Sequence, residues 1–466
     1  METREEAAFA WVEQVLGGRI LSRRLQSRWR NQWFLEVERD GAIERVVLRG
    51  FRNPGYTAED TSGARAMLTL EAQALEALQD VPVATPRYLG SNPDLGWMLM
   101  EWLDGDSELT QIADEDRRFA IYQGYVEELA TLHAYPLDKI RLPDAMPRPA
   151  SSRAFREELI ARHEGFYRSL ALPDAEPVLE LGLQWVKHND ISSERPLGLG
   201  LGDVGPNQFL FVEDRFHALV DFEYAVIGDP LMEMGMMRGR DVTYHTGRMT
   251  EHMRHYGACY ERLTGIPLDL KALQYWTIAG PALWNVYTVM GTQRADPAMI
   301  DLAFLFAYEV QQKRCILEGI AEYYGFRLTR PELPKPTNTL LSPLAQALAA
   351  QLDGHFREQA GEDPYAASFA RYSASIARTL ALGDGTALML ETANREELGA
   401  LLGHRIGDWR HGLRELEALI AADWEKDLER RINMLYRCEV RREYLYEPMQ
   451  RATGVSHGWP MSRFDV

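Results

Sequence analysis

The sequence is poor in cysteine, has no long apolar run and has no excess of positive charge. Its three cysteines, Cys259, Cys315 and Cys438, are far apart and odd in number, which fits a reducing cytoplasm and no cysteine-based metal cluster. No stretch is apolar for long enough to span a membrane, and the N-terminal residues lack the basic and apolar regions of a secretory signal. A formal net charge of -18 argues against general binding to nucleic acid or anionic lipid. We therefore expect a cytoplasmic protein without a nucleic-acid or membrane partner.

The length and composition predict several packed units. The chain has 466 residues with 46% hydrophobic content, enough for two or three units. A proline-rich stretch at 331–338 is typical of an extended linker. Beyond it, leucines at helical spacing predict successive amphipathic helices, for example at Leu344, Leu348 and Leu352. Residues 338–466 are therefore predicted to form a helical appendage, which could pack on the preceding part, form a homodimer or cover a binding site.

The most informative segment runs from residue 198 to residue 229, where acidic residues form two clusters. Predicted strands at 209–212 and 216–220 would form a hairpin that brings Asp203 and Asp221 to the same end of a sheet. Phosphoryl transfer uses one carboxylate to orient and deprotonate a hydroxyl, and others to hold Mg²⁺ on the phosphates. Asp203 fits the first role and Asp221 the second. The alternative is that these residues belong to ordinary solvated turns.

The order of these motifs resembles the aminoglycoside phosphotransferase and choline kinase superfamily. The resemblance is carried by Leu-Gly-Asp at 201–203, Asp-Phe-Glu at 221–223 and Gly-Asp-Pro at 228–230. Their form most resembles the branch that includes kinase domains attached to acyl-CoA dehydrogenases. The resemblance implies an α+β, bilobal protein-kinase-like fold, with a small β-rich nucleotide-binding lobe over 1–103 and a mostly helical catalytic and substrate lobe over 104–330.

The resemblance also implies roles for individual residues. Asp203 is the expected catalytic residue, and Asp221 is the expected metal ligand. The family places an asparagine five residues after the catalytic aspartate. Here that position is Gln208, whereas Asn207 comes one place early, so either amide could bind the metal. Glu223 could steer a metal or a cationic acceptor.

Two departures from the family pattern affect the same region. Leu201 stands where the family has a histidine that braces the catalytic loop. The segment 25–34, where a phosphate-covering loop is expected, lacks the glycines that let a backbone approach phosphate closely. Of the family's loop pattern, only Asn31 is present here. Arg28 and Arg30 could supply positive charge in place of backbone amides. Asp229 is expected to brace the loop rather than touch substrate.

The N-terminal part contains the other elements that a kinase-like site requires. Arg49 ends a predicted strand at 44–50, and Glu71 lies on a predicted helix at 64–78. Together they would form the Lys–Glu pair of kinases with arginine in place of lysine. The alternative for Arg49 is a solvated cation at a strand end. By resemblance, the strand end with Met100 and Trp102 is the hinge that holds adenine.

These observations predict an ATP- and Mg²⁺-dependent phosphotransferase with a small-molecule hydroxyl acceptor. Acceptors in the family include aminoglycosides, amino alcohols and hydroxyacyl-CoA esters, and the fold does not select among them. Because Leu201, the shifted amide and the glycine-poor loop are three departures in one site, a pseudokinase that binds nucleotide or acts as a scaffold is the main alternative. A kinase-fold enzyme that acts on protein or transfers AMP is a second alternative.

Two further groups of residues have structural interpretations as well as functional ones. His252 and His255 are three apart on a predicted helix and could suggest a metal-binding pair, but we expect them to lie on the surface. Trp276, Trp284 and Tyr287 are candidates for the wall of an acceptor pocket, although aromatic residues at helical spacing more often belong to the core.

Overall fold

The computed structural model describes residues 4–27, 30–52, 61–144, 146–191, 194–296, 301–337, 339–361 and 363–464. Arg28 lies outside the described residues. The strands are β1 (Arg19–Ser27), β2 (Arg30–Arg39), β3 (Ala42–Arg52), β4 (Tyr88–Asn92), β5 (Trp97–Glu101), β6 (Gly198–Gly200), β7 (Phe209–Val212), β8 (Arg215–Leu219) and β9 (Val226–Gly228).

Helices make up most of the rest of the described chain. The first nine are α1 (Arg4–Leu16), α2 (Thr61–Ala77), α3 (Glu115–Ala134), α4 (Ser152–Ser169), α5 (Pro177–His188), α6 (Pro230–Tyr244), α7 (Met249–Thr264), α8 (Leu270–Arg294) and α9 (Leu302–Tyr324). The C-terminal helices are α10 (Ser342–Gln351), α11 (Arg357–Gln359), α12 (Pro364–Gly383), α13 (Ala387–Leu402), α14 (Trp409–Ala422) and α15 (Leu428–Thr453).

The chain divides into two compact units. The first consists of residues 1–152, 195–233 and 246–268, and the second of residues 153–194, 234–245 and 269–466. The domain boundaries expected from the sequence, after residue 103 and near residue 330, stay predictions.

A five-stranded antiparallel sheet of order β1-β2-β3-β5-β4 begins the first unit. Alternate residues of a strand point to opposite faces, so Leu35 and Leu48 lie on one face and pack against Phe9 and Val12 of α1. Arg49, the next residue along β3, therefore points to the opposite face, where Glu71 of α2 meets it. The amphipathic pattern of the sheet is thus what directs this arginine towards α2.

Two small antiparallel pairs, β6–β9 and β7–β8, carry the acidic motifs in the first unit. The predicted hairpin is confirmed, since Phe209 pairs with Leu219 and Val212 with Arg215. At the open end of the hairpin, the N–H of Val220 donates to the carbonyl oxygen of Gln208 at 3.2 Å. This bond brings the segment that leads to Asp221 beside the segment that follows Asp203.

The second unit is helical, and it contains the predicted C-terminal helices. Helix α9 contributes Ala303 and Ala307 to a buried cluster with Tyr372 of α12 and Met449 of α15. Charged residues are also buried here: Lys313 of α9 pairs with Glu309 at 2.5 Å. The small sheet, the many helices and the helical C-terminal region confirm the predicted α+β class. Within the described residues, no helix is both long and apolar enough to span a membrane.

Candidate active site

The structure forms the predicted pair between Arg49 of β3 and Glu71 of α2. The Arg49 Nε lies 2.9 Å from Glu71 Oε1, and both side chains are nearly buried. A second nitrogen of the same guanidinium, Nη2, donates to Asp221 Oδ1. Arg49 therefore joins the helix carboxylate to the predicted metal-binding carboxylate. Its interpretation as a solvated cation is wrong, because its exposed fraction is 9%.

Arg30 enters the same cluster from β2. Its Nη2 lies 3.3 Å from Glu71 Oε2 and pairs with Glu223 Oε2, and its Nη1 donates to the Gly50 carbonyl oxygen at 3.0 Å. Glu223 has an exposed fraction of 4%, so its carboxylate is buried against this arginine. Two guanidinium groups and three carboxylates therefore share one buried region, and Glu223 contacts a cation of the chain itself.

The charge balance of this cluster affects the protonation of Asp221. Burial raises the pKa of Asp221 to about 6. The repulsion of Glu223 and Glu71 also raises this pKa, whereas the attraction of Arg49 lowers it. Burial alone would lower the pKa of Arg49, but the surrounding carboxylates raise it above its ordinary value, so this arginine stays charged. The backbone of Asp221 has a φ of 71°, a left-handed conformation that is uncommon outside glycine and often marks functional positions.

The amide residues of the catalytic loop lie next to Asp203. Gln208 donates from Nε2 to Asp203 Oδ2 at 3.0 Å, so the predicted catalytic carboxylate is oriented by the predicted ligand. The remaining oxygen of Gln208, Oε1, and the Oδ1 of Asn207 are buried and accept no hydrogen bond within the described structure. Carboxylate and amide oxygens are the ligands that Mg²⁺ prefers. The donor set of these two amides with Asp221 therefore fits a hard divalent cation.

The loop before Asp203 depends on Gly202. This residue has a φ of +77°, and a Cβ built on it would lie 1.9 Å from the Tyr224 carbonyl oxygen. Tyr224, the residue after the motif 221–223, thus packs directly against the backbone of the loop that precedes Asp203. Leu201, which replaces the family histidine, is fully buried and makes apolar contacts instead of hydrogen bonds.

Glu233 of α6 supplies a brace for this loop and is not among the predicted site residues. Its Oε1 accepts from the backbone N–H of Gly202, and its Oε2 lies 2.7 Å from His133 Nε2. The other nitrogen of His133, Nδ1, lies 2.8 Å from the Tyr256 hydroxyl oxygen. His133 thus belongs to a buried chain of hydrogen bonds that ends at the loop before Asp203. In the sequence, the only indication of this role of Glu233 is that a glutamate follows Asp229 by four residues.

Asp229 fixes the start of α6. Its Oδ1 accepts from the backbone N–H of Leu231 at 3.0 Å and lies 3.1 Å from Arg195 Nε. Because Asp229 follows β9 and Arg195 precedes β6, this contact joins the two strands at one end of the antiparallel β6–β9 pair. A cavity of about 500 Å³ opens beside Arg195, and none of the predicted site residues lines it.

The predicted adenine hinge lies at the end of β5. Met100 pairs with Val47 of β3 in the sheet. The N–H of Trp102 donates to the Arg45 carbonyl oxygen at 3.1 Å, and the Arg45 guanidinium lies 3.9 Å from the centre of the Trp102 ring. The roles of Met100 and Trp102 in binding a nucleotide stay predictions.

The expected surface position of His252 is wrong. This residue is fully buried, with its ring 4.5 Å from that of Phe119, and burial lowers its pKa to about 3. His255 is partly exposed and has two partners: its Nε2 lies 2.6 Å from Glu127 Oε1 of another helix and 3.8 Å from Cys259 Sγ, four residues along its own helix. Glu127 belongs to α3, which is distant in sequence, so neighbouring residues gave no sign of it.

The aromatic residues of α8 differ in burial, and a role of Trp284 and Tyr287 in an acceptor pocket stays a prediction. Trp276 is fully buried and therefore belongs to the core. Trp284 lies 4.8 Å from the His163 ring, and Tyr287 stacks on Phe166 at 4.8 Å with 42% of its surface exposed. Tyr287 is therefore accessible on the surface of the second unit.

Comparison with known proteins identifies the family. Residues 22–266, more than half of the chain, match the sequence profile of the phosphotransferase enzyme family. The chain belongs to the phosphotransferase enzyme family. Membership confirms the resemblance and the protein-kinase-like fold predicted from the motifs, and the matched residues include every residue predicted for catalysis, metal binding and nucleotide binding.

The individual relatives of this chain are distant. The probable acyl-CoA dehydrogenase IBR3 of Arabidopsis thaliana is 25% identical over 292 residues, which cover 56% of this chain and 33% of that protein. The chain thus matches one third of the length of this relative. Among solved structures, macrolide 2'-phosphotransferase MphH of Brachybacterium faecium is 17% identical with a TM-score of 0.46, covering 64% of this chain and 98% of that one. A thermostable mutant of aminoglycoside phosphotransferase APH(4)-Ia in complex with ADP and hygromycin B is 14% identical with a TM-score of 0.47, covering 66% and 98%.

Proposed function

We propose that this chain is an ATP-dependent phosphotransferase that transfers the γ-phosphoryl group to a hydroxyl of a small molecule. One observation carries the proposal: Gln208 donates to Asp203 while its buried Oε1 accepts no hydrogen bond within the described structure. A side chain that only stabilised the fold would be expected to use both ends of its amide. This arrangement instead orients the catalytic carboxylate and keeps an oxygen for a ligand.

Asp203 acts on the acceptor in this proposal. Its carboxylate orients the hydroxyl and takes the proton as the hydroxyl oxygen bonds to the γ-phosphorus, while the bond from that phosphorus to the bridging oxygen of ADP breaks. Gln208 keeps the Asp203 side chain in one orientation through its Nε2. The Glu233–Gly202 hydrogen bond holds the loop backbone, so that Asp203 does not have to be ordered when substrate binds.

Asp221, Gln208 and Asn207 would hold Mg²⁺, and Arg49 would contact the phosphates. When bound, the metal neutralises charge on the β- and γ-phosphate oxygens. Glu71 orients Arg49 through the contact at 2.9 Å, and arginine offers a planar fork that matches phosphate oxygens. The relatives in complex with ADP support a nucleotide, and the oxygen donors of this site support a divalent cation.

The acceptor that we propose is a hydroxyacyl-CoA ester, with amino alcohols and aminoglycosides as the next candidates. The matching segment of IBR3 belongs to a protein named as an acyl-CoA dehydrogenase, which favours the first class. The aminoglycoside and macrolide phosphotransferases among the structural neighbours are too distant to decide the question.

The test is a set of binding and turnover measurements on the full chain. Asp203→Ala should reduce phosphoryl transfer at least about 1,000-fold while the affinity for a non-hydrolysable ATP analogue changes by less than about threefold. Asp221→Ala should instead weaken Mg²⁺-dependent binding of the analogue. Asp214→Ala, in the exposed turn between β7 and β8, is the matched control and should change neither quantity. Wild-type turnover in Asp203→Ala would contradict the assigned role.

A second candidate function is a pseudokinase, a nucleotide-binding module without turnover. The observation that favours it is the pairing of both Asp-Phe-Glu carboxylates with arginines of the chain itself. In that case the analogue would bind with equal affinity in the presence of Mg²⁺ and of EDTA, and no acceptor would be phosphorylated. Mg²⁺-dependent binding together with acceptor-dependent release of ADP would exclude this candidate.

A further inference from the structure

Arg30 has no counterpart in the Lys–Glu pair that kinases require, yet it is buried in the middle of the site. It is the first residue of β2, in the segment where the sequence lacks the glycines of a phosphate-covering loop. In the sheet, Arg30 pairs with Arg52 and Gln32 pairs with Arg49, so Arg30 and Arg49 lie on neighbouring strands close to the same register. Both guanidinium groups converge on Glu71.

The partners of Arg30 are those that a metal ion would use. Glu223 belongs to the Asp-Phe-Glu motif, and its Oε2 pairs with Arg30 Nη2. Asp221 of the same motif pairs with Arg49. Each carboxylate of the motif is therefore neutralised by one arginine. Burying a carboxylate without a cation would be costly, so the arginines stabilise the site when it holds no nucleotide.

Resting on the proposed function, we propose that Arg30 is a second phosphate-binding cation of this site. Without nucleotide it holds Glu223. When nucleotide and metal are bound, Arg30 turns its guanidinium from Glu223 to the phosphates, and Glu223 faces the metal. A charged, planar fork from β2 thus takes the place of the backbone amides that a glycine-rich loop would offer. No covalent bond changes: Glu223 only exchanges one ionic partner, Arg30, for another, the metal.

A purely structural ion pair would behave differently from this exchange. If Arg30 only anchored β2, its removal would weaken every property of the site together. If Arg30 competes with metal for Glu223, its removal makes metal binding without nucleotide tighter and nucleotide binding weaker. The two effects have opposite signs, so loss of stability alone cannot produce both.

The experiment compares Arg30→Gln, Arg30→Lys and Arg39→Gln in the full chain. Arg39 is the matched control, because it lies on the same strand and pairs only with the exposed Asp40 among the charged groups described. Mn²⁺ binding without nucleotide is measured by electron paramagnetic resonance, and binding of a Mg²⁺-loaded, non-hydrolysable ATP analogue by calorimetry. We expect Arg30→Gln to bind Mn²⁺ at least about threefold more tightly and the analogue about tenfold more weakly, with Arg30→Lys between it and wild type. The control should match the wild type in both.

Weaker or unchanged Mn²⁺ binding in Arg30→Gln would overturn the proposal. If the wild type does not bind the analogue at all, the proposed function fails, and so does the phosphate-binding role of Arg30. In that case, tighter Mn²⁺ binding in Arg30→Gln would still show that Arg30 and the metal compete. Should Arg30→Gln not fold, Glu223→Gln takes its place. This variant frees Arg30 from its partner, so it should bind the analogue in EDTA at least about threefold more tightly than the wild type. Equal or weaker binding would again overturn the proposal.

Discussion

Glu233 accepts a hydrogen bond from the backbone N–H of Gly202, one residue before the predicted catalytic Asp203. The same glutamate is held by His133, which is held in turn by Tyr256. The brace that the family builds from the histidine at the position of Leu201 is therefore built here from α3, α6 and α7. The departure at Leu201 alone does not imply a disordered loop or a loss of function.

Removing the carboxylate of Glu233 should destabilise the protein and slow turnover. Glu233→Ala leaves the backbone N–H of Gly202 and the Nε2 of His133 without their buried partner, and we expect the free energy of unfolding to fall by about 2–4 kcal/mol. Denaturant unfolding measures this change. Glu251→Ala, which removes an exposed carboxylate paired with the partly exposed Arg248, should leave the free energy of unfolding nearly unchanged. Equal losses in both variants would contradict the role of Glu233 as a brace.

Restoring the family histidine should not improve this protein. The side chain of Leu201 is fully buried, and the bracing bonds already come from Glu233. Leu201→His would bury an imidazole among apolar groups and should lower the free energy of unfolding by about 1–3 kcal/mol. Turnover at a temperature where the variant is folded should not exceed that of the wild type. A gain in stability and activity would show that the present brace is incomplete.

A methyl group at Gly202 should be far more harmful than one at another left-handed glycine. Gly202→Ala would place its Cβ against the Tyr224 carbonyl oxygen, so we expect a loss of more than about 3 kcal/mol or failure to fold. Gly17→Ala is the control, because Gly17 also has a positive φ of 63° but nothing within 4 Å of a Cβ. The control should lose only about 1 kcal/mol, the cost of the backbone conformation. Thermal unfolding of the two variants checks the difference.

Metal binding should depend on pH through Asp221. Because the pKa of Asp221 is raised to about 6, its charged form is disfavoured below that pH, and Mn²⁺ affinity should fall by up to tenfold per pH unit between pH 6 and pH 5. For stability the sign is opposite: a raised carboxyl pKa favours the folded state at low pH, and this contribution is lost as pH rises from about 4 to about 6. Asp221→Asn should remove both dependences. A variant that kept the same pH profile would assign the titration to another group.

Gln208→Ala and Asn207→Ala should separate the two amides. Gln208 both orients Asp203 and keeps an oxygen for metal, so its loss should reduce kcat and Mn²⁺ affinity together. Asn207→Ala should reduce Mn²⁺ affinity if its buried Oδ1 is a ligand, with a smaller effect on kcat. Calorimetry and initial rates measure both quantities. Unchanged Mn²⁺ affinity in Asn207→Ala would leave Gln208 as the amide ligand.

Much of the site follows from local sequence. The alternation of β3 directs Arg49 away from the α1 face, and the apolar runs at 209–212 and 216–220 predict the hairpin that brings Asp203 near Asp221. These features depend on neighbours a few residues apart, and the order of the acidic motifs was enough to indicate the family. Local patterns of the same kind also determined the helical character of the C-terminal region.

Only the tertiary structure decided which cations the carboxylates contact. Arg30 and Glu223 are 193 residues apart, and Glu233 and His133 are 100 apart, so no local periodicity connects them. Each pairing results from burial: a charged or polar group that loses water must find a partner wherever the chain places one. The sequence determined the acidic motifs and the strands that carry them, whereas the fold determined that Arg30 pairs with Glu223 and that Glu233 accepts from the backbone of Gly202.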